Sequence, residues 1–327
     1  MIDHSNELHV VFGTGPVGLS VMDELVRSGK RVRLVNRSGK ARVPAGVEVR
    51  GGDASKMTFA REACAGASVV YNALNPPYDK WPELFPALQA GVLEGAAASG
   101  AKLVAMENLY MYGPTGGRPL TEDLPYAANT KKGRVRAEMS QELMEAHRRG
   151  QVQVAIGRAS DFFGPRVLAS AVGEQVFGRA MEGKSAQVAG DPDQPHSYTY
   201  APDIGKGLVI LGRREEALGR AWHLPSPETT TTREFVQTVF QEVGSRRVSR
   251  RRRRSCCAPS VCSIGLCAKR SRCSMSSRSH LSWITPGSRG RSGITPRRFG
   301  RPSGGRCGGM AISGPRRDEG QRPELPC

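Results

Sequence analysis

Six apolar, β-branched runs punctuate the first 160 residues: Leu8 to Phe12, Arg31 to Asn36, Val47 to Arg50, Ser68 to Asn72, Lys102 to Met106 and Val152 to Ile156. Runs of this length that alternate with helical patterns predict βαβ units and a parallel sheet. Between the first two, Val17, Val21 and Leu25 recur every fourth residue on one helical face, and Gly29 supplies a stop. A second helix is expected from about Thr130, where Val135, Met139 and Leu143 share a face. The pattern predicts an α/β protein with a doubly wound parallel sheet of the Rossmann type over residues 1–160.

From Asp161 to Gly244 the pattern loosens, and Gly and Pro punctuate short elements such as Ala189-Gly190-Asp191-Pro192-Asp193. Asp203 is expected to begin a helix carrying Leu208 and Leu211, and Thr232 to Val243 reads as another. Residues 161–244 are therefore expected to form a smaller, incomplete substrate-side region. Beyond Gly244 both periods vanish into Arg, Ser, Gly, Pro and Cys, so residues 245–327 are expected to be a disordered basic tail.

Charge follows the same division. The tail carries 20 Lys and Arg against 3 Asp and Glu, nearly the whole net charge of +18, whereas residues 1–244 are almost neutral. Seven of the eight cysteines also lie in the tail, at irregular gaps with only His280 nearby, which argues against a zinc site. A nucleic-acid arm rests on charge alone, so nucleic acid is not the expected partner. No stretch approaches the roughly 20 apolar residues that cross a bilayer, and no basic leader precedes an apolar run. A soluble, cytoplasmic protein is expected.

The chemistry-bearing motif is Gly13-Thr14-Gly15-Pro16-Val17-Gly18, which follows an apolar strand and opens an amphipathic helix. Gly13 permits the tight turn, Gly15 lets backbone approach a pyrophosphate, and Gly18 allows close packing of helix on strand. The second strand ends in Asn36-Arg37-Ser38, where an NAD-preferring protein usually carries an acidic residue. NADP is therefore the expected cofactor, with NAD as the alternative. Arg37 would pair with the 2′-phosphate and Ser38 would add a hydroxyl; the competing reading is a solvated basic loop that includes Lys40 and Arg42. Asp53 is an adenine contact or an ordinary cap, and Asn72 and Ala73, at the end of the fourth strand, are expected cofactor contacts.

Residues 8–244 resemble the NAD-dependent epimerase/dehydratase family, the extended branch of the short-chain dehydrogenase/reductases. The resemblance rests on the glycine turn, on Tyr112-Gly113-Pro114, on Arg158 through Gly164-Pro165, and on Gly190-Asp191 through Tyr200-Ala201-Pro202-Asp203. It implies an NAD(P)-dependent oxidoreductase or epimerase-like enzyme acting on a small organic substrate, and it admits a homodimer. The family pairs a Ser or Thr with a YxxxK helix, but this chain places Asn108, Thr130 and Arg134 at those positions. The resemblance thus implies one of two states. Either Asn108 works with another group, Tyr126, Tyr112 or Glu107, or the protein is a non-catalytic NADP-binding regulator. His196 stands where nucleotide-sugar members carry an Arg, which disfavours nucleotide sugars as substrates. Asn75 to Trp81 is expected to shape the substrate pocket or to be a surface loop. The tail, read in a shifted frame with GC-rich codons, resembles the family's closing segment, which implies an out-of-frame translation.

Overall fold

The computed structural model describes residues 7–244 and 250–251. All six expected strands form, as β1 (Leu8–Phe12), β2 (Arg31–Asn36), β3 (Glu48–Gly51), β4 (Ala67–Asn72), β5 (Lys102–Glu107) and β6 (Val154–Arg158). Between them run α1 (Pro16–Arg27), α2 (Met57–Cys64), α3 (Trp81–Ser99) and α4 (Lys131–Arg148). α1 buries Val17, Val21 and Leu25, and Gly29 follows its C-cap with φ of +69°. α4 begins where Thr130 accepts a hydrogen bond from the Gly133 N–H, and it buries Val135, Met139 and Leu143. α3 has no counterpart in the sequence reading. Its Ala- and Gly-rich second half gives no strong apolar stripe, because small residues let it pack on α2 and the sheet without one. Asn75 to Trp81, expected to be a loop, ends in a single 3-10 turn that feeds α3, and Trp81 is buried with its indole N–H on the Pro76 carbonyl.

The second half runs β7 (Asp161–Phe163), a π-turn at Gly173–Gly178 leading into α5 (Arg179–Met181), β8 (Gln187–Val188), β9 (Pro195–His196), β10 (Tyr198–Tyr200), α6 (Ala201–Arg213), β11 (Arg220–His223), β12 (Thr230–Thr231), α7 (Thr232–Glu242) and β13 (Arg250–Arg251). β13 pairs in parallel with β8. The rest of the expected tail, and with it the shifted-frame reading, lies outside the described residues.

The main sheet is ordered β11-β6-β5-β4-β1-β2-β3. Every pairing in it is parallel. The order reverses between β4 and β1, which opens a crevice at the carboxyl ends of those strands. Two apolar clusters cover the sheet. One packs α2, α3 and α4 on one face, and the other packs α1 and α6 on the opposite face. α6 and β11 come from the stretch expected to be substrate-side, yet both return to the sheet. Four residues of Arg-Ala-Trp-His are too short to show a strand period, so β11 is invisible until β6 offers it an edge. The remaining second-half elements share their own core of Phe163, Val176, Val188, Tyr198, Phe235 and Phe240. There Tyr198 stacks on Phe235 with centroids 4.2 Å apart. α7 is started by a capping box of Thr231 and Glu234.

α6 reaches α1 through a glycine. A Cβ on Gly205 would stand 2.5 Å from the Ser20 carbonyl carbon and oxygen. Alanine gains about 1 kcal/mol of helix propensity, but forcing two helix backbones apart costs about 1–3 kcal/mol. Gly205→Ala is therefore expected to lower Tm in a thermal melt, and a rise in Tm would refute this close packing.

Candidate functional site

The glycine turn sits at the point where the strand order reverses. Gly13 adopts φ of +106°, and a Cβ there would meet the Ala73 carbonyl oxygen at 2.6 Å. A Cβ on Gly18 would meet the Gly13 carbonyl oxygen at 2.0 Å. The Gly13 N–H bonds the Val35 carbonyl, and the Ala73 N–H bonds the Phe12 carbonyl, both at 2.9 Å. These two glycines are thus fixed by packing. Gly15 differs: its Cβ position meets nothing within 4 Å, and as N-cap of α1 it is extended with no side-chain cap. Open space over the uncapped first turn of a helix is a cradle that an anion fills. The turn therefore fits the diphosphate of a dinucleotide.

Asn36 is drawn to the same place, since its Nδ2 donates to Thr14 Oγ1 at 3.2 Å and to the Lys40 carbonyl at 2.9 Å. Its Oδ1 accepts the Gly39 N–H at 2.7 Å and the Ser38 hydroxyl at 3.2 Å. Asn36 and Ser38 thus brace the loop after β2. Arg37 is exposed and makes no hydrogen bond among the described residues. Asp53 accepts both the Ser55 N–H at 3.0 Å and the Ser55 hydroxyl at 2.7 Å, and these bonds hold its carboxyl below the usual range. Asn72 is buried, with Oδ1 on the Leu74 N–H at 3.3 Å. Pro16 and Val17 form the first turn of α1.

The positions aligned with the family's catalytic set are engaged locally. Asn108 Oδ1 accepts the Tyr110 N–H at 3.2 Å, Thr130 caps α4, and Arg134 donates to the Asn129 carbonyl at 3.2 Å. Tyr112 and Tyr126 lie together on a different group, the guanidinium of Arg158. Arg158 is 1% exposed, and its Nε donates to Glu107 Oε2 at 3.0 Å. Nη1 donates to Tyr112 Oη at 2.6 Å, and Nη2 donates to Tyr126 Oη and to Ser140 Oγ. Burial opposes its charge, but Glu107 and the two phenols outweigh burial and hold its pKa above the usual value.

Arg158 also ties Tyr112 to a histidine. An arginine only donates, so Tyr112 Oη accepts from it, and the same hydroxyl shares a hydrogen bond with His223 Nε2, 2.9 Å away. The other ring nitrogen of His223, Nδ1, is buried without a hydrogen-bond partner among the described residues. Burial lowers its pKa to about 4 and pushes that of Tyr112 up to about 12, so both stay neutral. Arg136 approaches the other oxygen of Glu107 at 3.9 Å, and burial lowers its pKa. Arg136, Ser140 and His223 escaped the sequence reading. The available signal was an arginine closing the apolar strand Val154–Arg158, because a charge at a buried strand end needs partners.

Beside this cluster lies a crevice of about 460 Å³ lined by Tyr78, Tyr110, Gly113, Pro114 and the stretch from Asn129 to Lys132. Lys132 Nζ stands 3.5 Å over the Tyr78 ring. His196 is not in it; its Nε2 pairs with Asp161 Oδ2 at 3.1 Å, within the second-half elements.

A doubly wound sheet with a glycine turn at its reversal point is the architecture of a Rossmann-type nucleotide-binding protein. Residues 10–223 match the profile of the NAD dependent epimerase/dehydratase family, and the chain belongs to that family. No curated protein matches the chain. Among solved structures it is similar to an epimerase from Methanothermobacter thermautotrophicus, at 18% identity and a TM-score of 0.68, covering 76% of this chain and 80% of that one. It is similar to UDP-N-acetylglucosamine 4-epimerase from Bacillus cereus, at 16% identity and a TM-score of 0.65 over 75% of this chain and 86% of that one. UDP-glucose 4-epimerase from Thermus thermophilus, solved with NAD, shares 18% identity at a TM-score of 0.62 over 74% of this chain and 85% of its own. At these identities the likeness shows the fold. No helix among the described residues is long and apolar enough to cross a membrane.

Two outcomes follow from the buried cluster. Arg158→Met leaves Glu107 charged and buried with only Arg136 nearby, and is expected to cost about 3–5 kcal/mol in urea unfolding. Adding Glu107→Gln should recover part of that loss; a double variant as damaged as the sum of both singles would show that the ion pair is not the reason. His9 shares the depressed pKa of about 4, through burial first and Lys30 second. Below the ordinary 6.5 the unfolded chain takes up protons at both histidines while the folded one does not. Stability is thus full above pH 6.5 and falls towards pH 4, by on the order of 2–3 kcal/mol per histidine. His223→Asn should flatten this slope in a pH series of melts.

Proposed function

We propose that the protein binds NADP(H) in preference to NAD(H), and that it acts as an oxidoreductase or epimerase-like enzyme on a small organic substrate. The observation that carries the dinucleotide reading is Gly15, which is open where its flanking glycines are closed. Gly13, Thr14, Gly15, Pro16, Val17 and Gly18 would cradle the diphosphate, with Asn36 and Ser38 holding the loop beside it and Asn72 and Ala73 flanking the turn. The absence of an acid at the end of β2 supports NADP. When bound, the cofactor supplies hydride exchange at its nicotinamide ring. The substrate would occupy the crevice lined by Tyr78, Tyr110 and Asn129 to Lys132, at the carboxyl ends of the strands.

Proton exchange falls to this chain's own groups. Tyr112 is 2% exposed and bonded to Arg158 and His223, which suits holding the crevice floor more than meeting substrate. Tyr126 and Asn108 are likewise turned to protein partners. Tyr110 is the phenol after β5 that lines the crevice, and we assign it the proton-exchanging role. The second reading, a non-catalytic NADP-binding regulator, is favoured by the local engagement of Asn108, Thr130 and Arg134.

Gly15→Val tests the dinucleotide reading. Its backbone φ of −75° suits any residue and its Cβ meets nothing, so the variant should melt like the wild type. Its dinucleotide affinity should fall at least about tenfold by calorimetry, a loss of about 1.4 kcal/mol. Unchanged affinity would remove the turn from the site. Screening ketones, aldehydes and secondary alcohols for a change in nicotinamide absorbance separates the two readings. Turnover that survives Tyr126→Phe and is lost in Tyr110→Phe supports the enzyme, and tight binding with no turnover supports the regulator.

A further inference from the structure

The groove between α1 and the loop after β2 holds a cavity of about 560 Å³. Its lining includes Thr14 of the glycine turn, the cations Lys40, Arg42 and Arg166, and a single acid, Asp23. Lys40 and Arg42 are local to the loop. Arg166 is not, because it lies 143 positions beyond Asp23, in the segment after β7, and reaches across to donate from Nη1 to Asp23 Oδ2 at 2.7 Å.

Arg166 is also the one non-glycine residue with positive φ among the described residues, at +67°. An L residue avoids that conformation, and it persists where the surroundings hold it, often next to a ligand. The ion pair with Asp23 does not account for it. Both side chains are about half exposed, and an exposed pair contributes little. Arg37, the arginine nearest the end of β2, is absent from the cavity lining, and the Ser38 hydroxyl is spent within its own loop.

We infer that Lys40, Arg42 and Arg166 form the seat of the phosphomonoester on the adenosine ribose of NADP(H), with Arg166 exchanging Asp23 for the phosphate. The charges match, since three cations and one carboxylate leave about two positive charges for a group carrying about two negative ones. Guanidinium groups offer the planar fork that grips phosphate oxygens. The exchange would tie the segment after β7 to the occupancy of the glycine turn. This inference rests on the dinucleotide reading of that turn.

Calorimetric titration of the full chain with NADP, NAD and adenosine 2′,5′-bisphosphate tests it. Wild type should bind NADP at least about tenfold more tightly than NAD, the effect of one charge-assisted contact. Arg42→Ala and Arg166→Ala should each erase most of that preference and weaken the bisphosphate, while NAD affinity and Tm stay near wild type. Asp23→Asn should tighten NADP and the bisphosphate and leave NAD unchanged, an outcome that a merely structural clasp would not give. If Arg37→Ala alone removes the preference, or if Arg166→Ala weakens NAD and NADP equally, the seat is misassigned. Tight binding of both dinucleotides without discrimination overturns this inference and the NADP preference, and leaves the dinucleotide reading of the glycine turn standing. Failure of wild type to bind either dinucleotide overturns the reading of the glycine turn together with it.

Discussion

One buried guanidinium organises the carboxyl end of the sheet. Arg158 closes β6, and its donors reach Glu107 at the end of β5, Tyr112 after it, Tyr126 before α4 and Ser140 within α4. A charge this deep is tolerable only when every donor direction meets an acceptor. The demand works in both directions: the partners hold Arg158, and Arg158 fixes where four separate stretches of chain lie. The crevice lined by Tyr110, Gly113 and Thr130 takes its shape from those fixed stretches. Tyr112 then passes the constraint to His223 on β11, so the outermost strand is tied to the same centre.

The glycine turn works by contrast. Two of its glycines are needed because backbone passes within a bond's reach, and the third because nothing does. An anion cradle requires both conditions, since the walls must be rigid and the space between them empty. Substrate recognition has a looser basis. The crevice walls come from short turns and from the start of one helix, where small sequence changes alter shape without disturbing the sheet.

Much of the fold was legible because parallel strands buried on both faces read as short apolar runs, and because α1 and α4 carry apolar residues at every fourth position. α3 was missed because alanine and glycine pack closely without an apolar stripe, and β11 because four residues carry no period. Of the site, the glycine turn was legible through spacing alone. The sequence also pointed to Tyr112 and Tyr126, but not to the arginine that claims them. Their pairing with Arg158 links positions 32 and 46 residues apart, and no local pattern reports such a meeting. Arg37 looked suited to a phosphate by its position after β2, whereas the groove is lined by its neighbours Lys40 and Arg42.

The position of β11 bears on how the chain matures. β6 lies at the flank of the sheet until Arg220–His223 arrives and pairs with it in parallel. More than sixty residues of chain separate β6 from the strand that pairs its outer hydrogen-bonding groups. A strand edge left bare is one that other chains can join. Pairing of β11 moves the open edge outward by one short strand and brings His223 to Tyr112, so the same four residues cover β6 and complete the polar cluster.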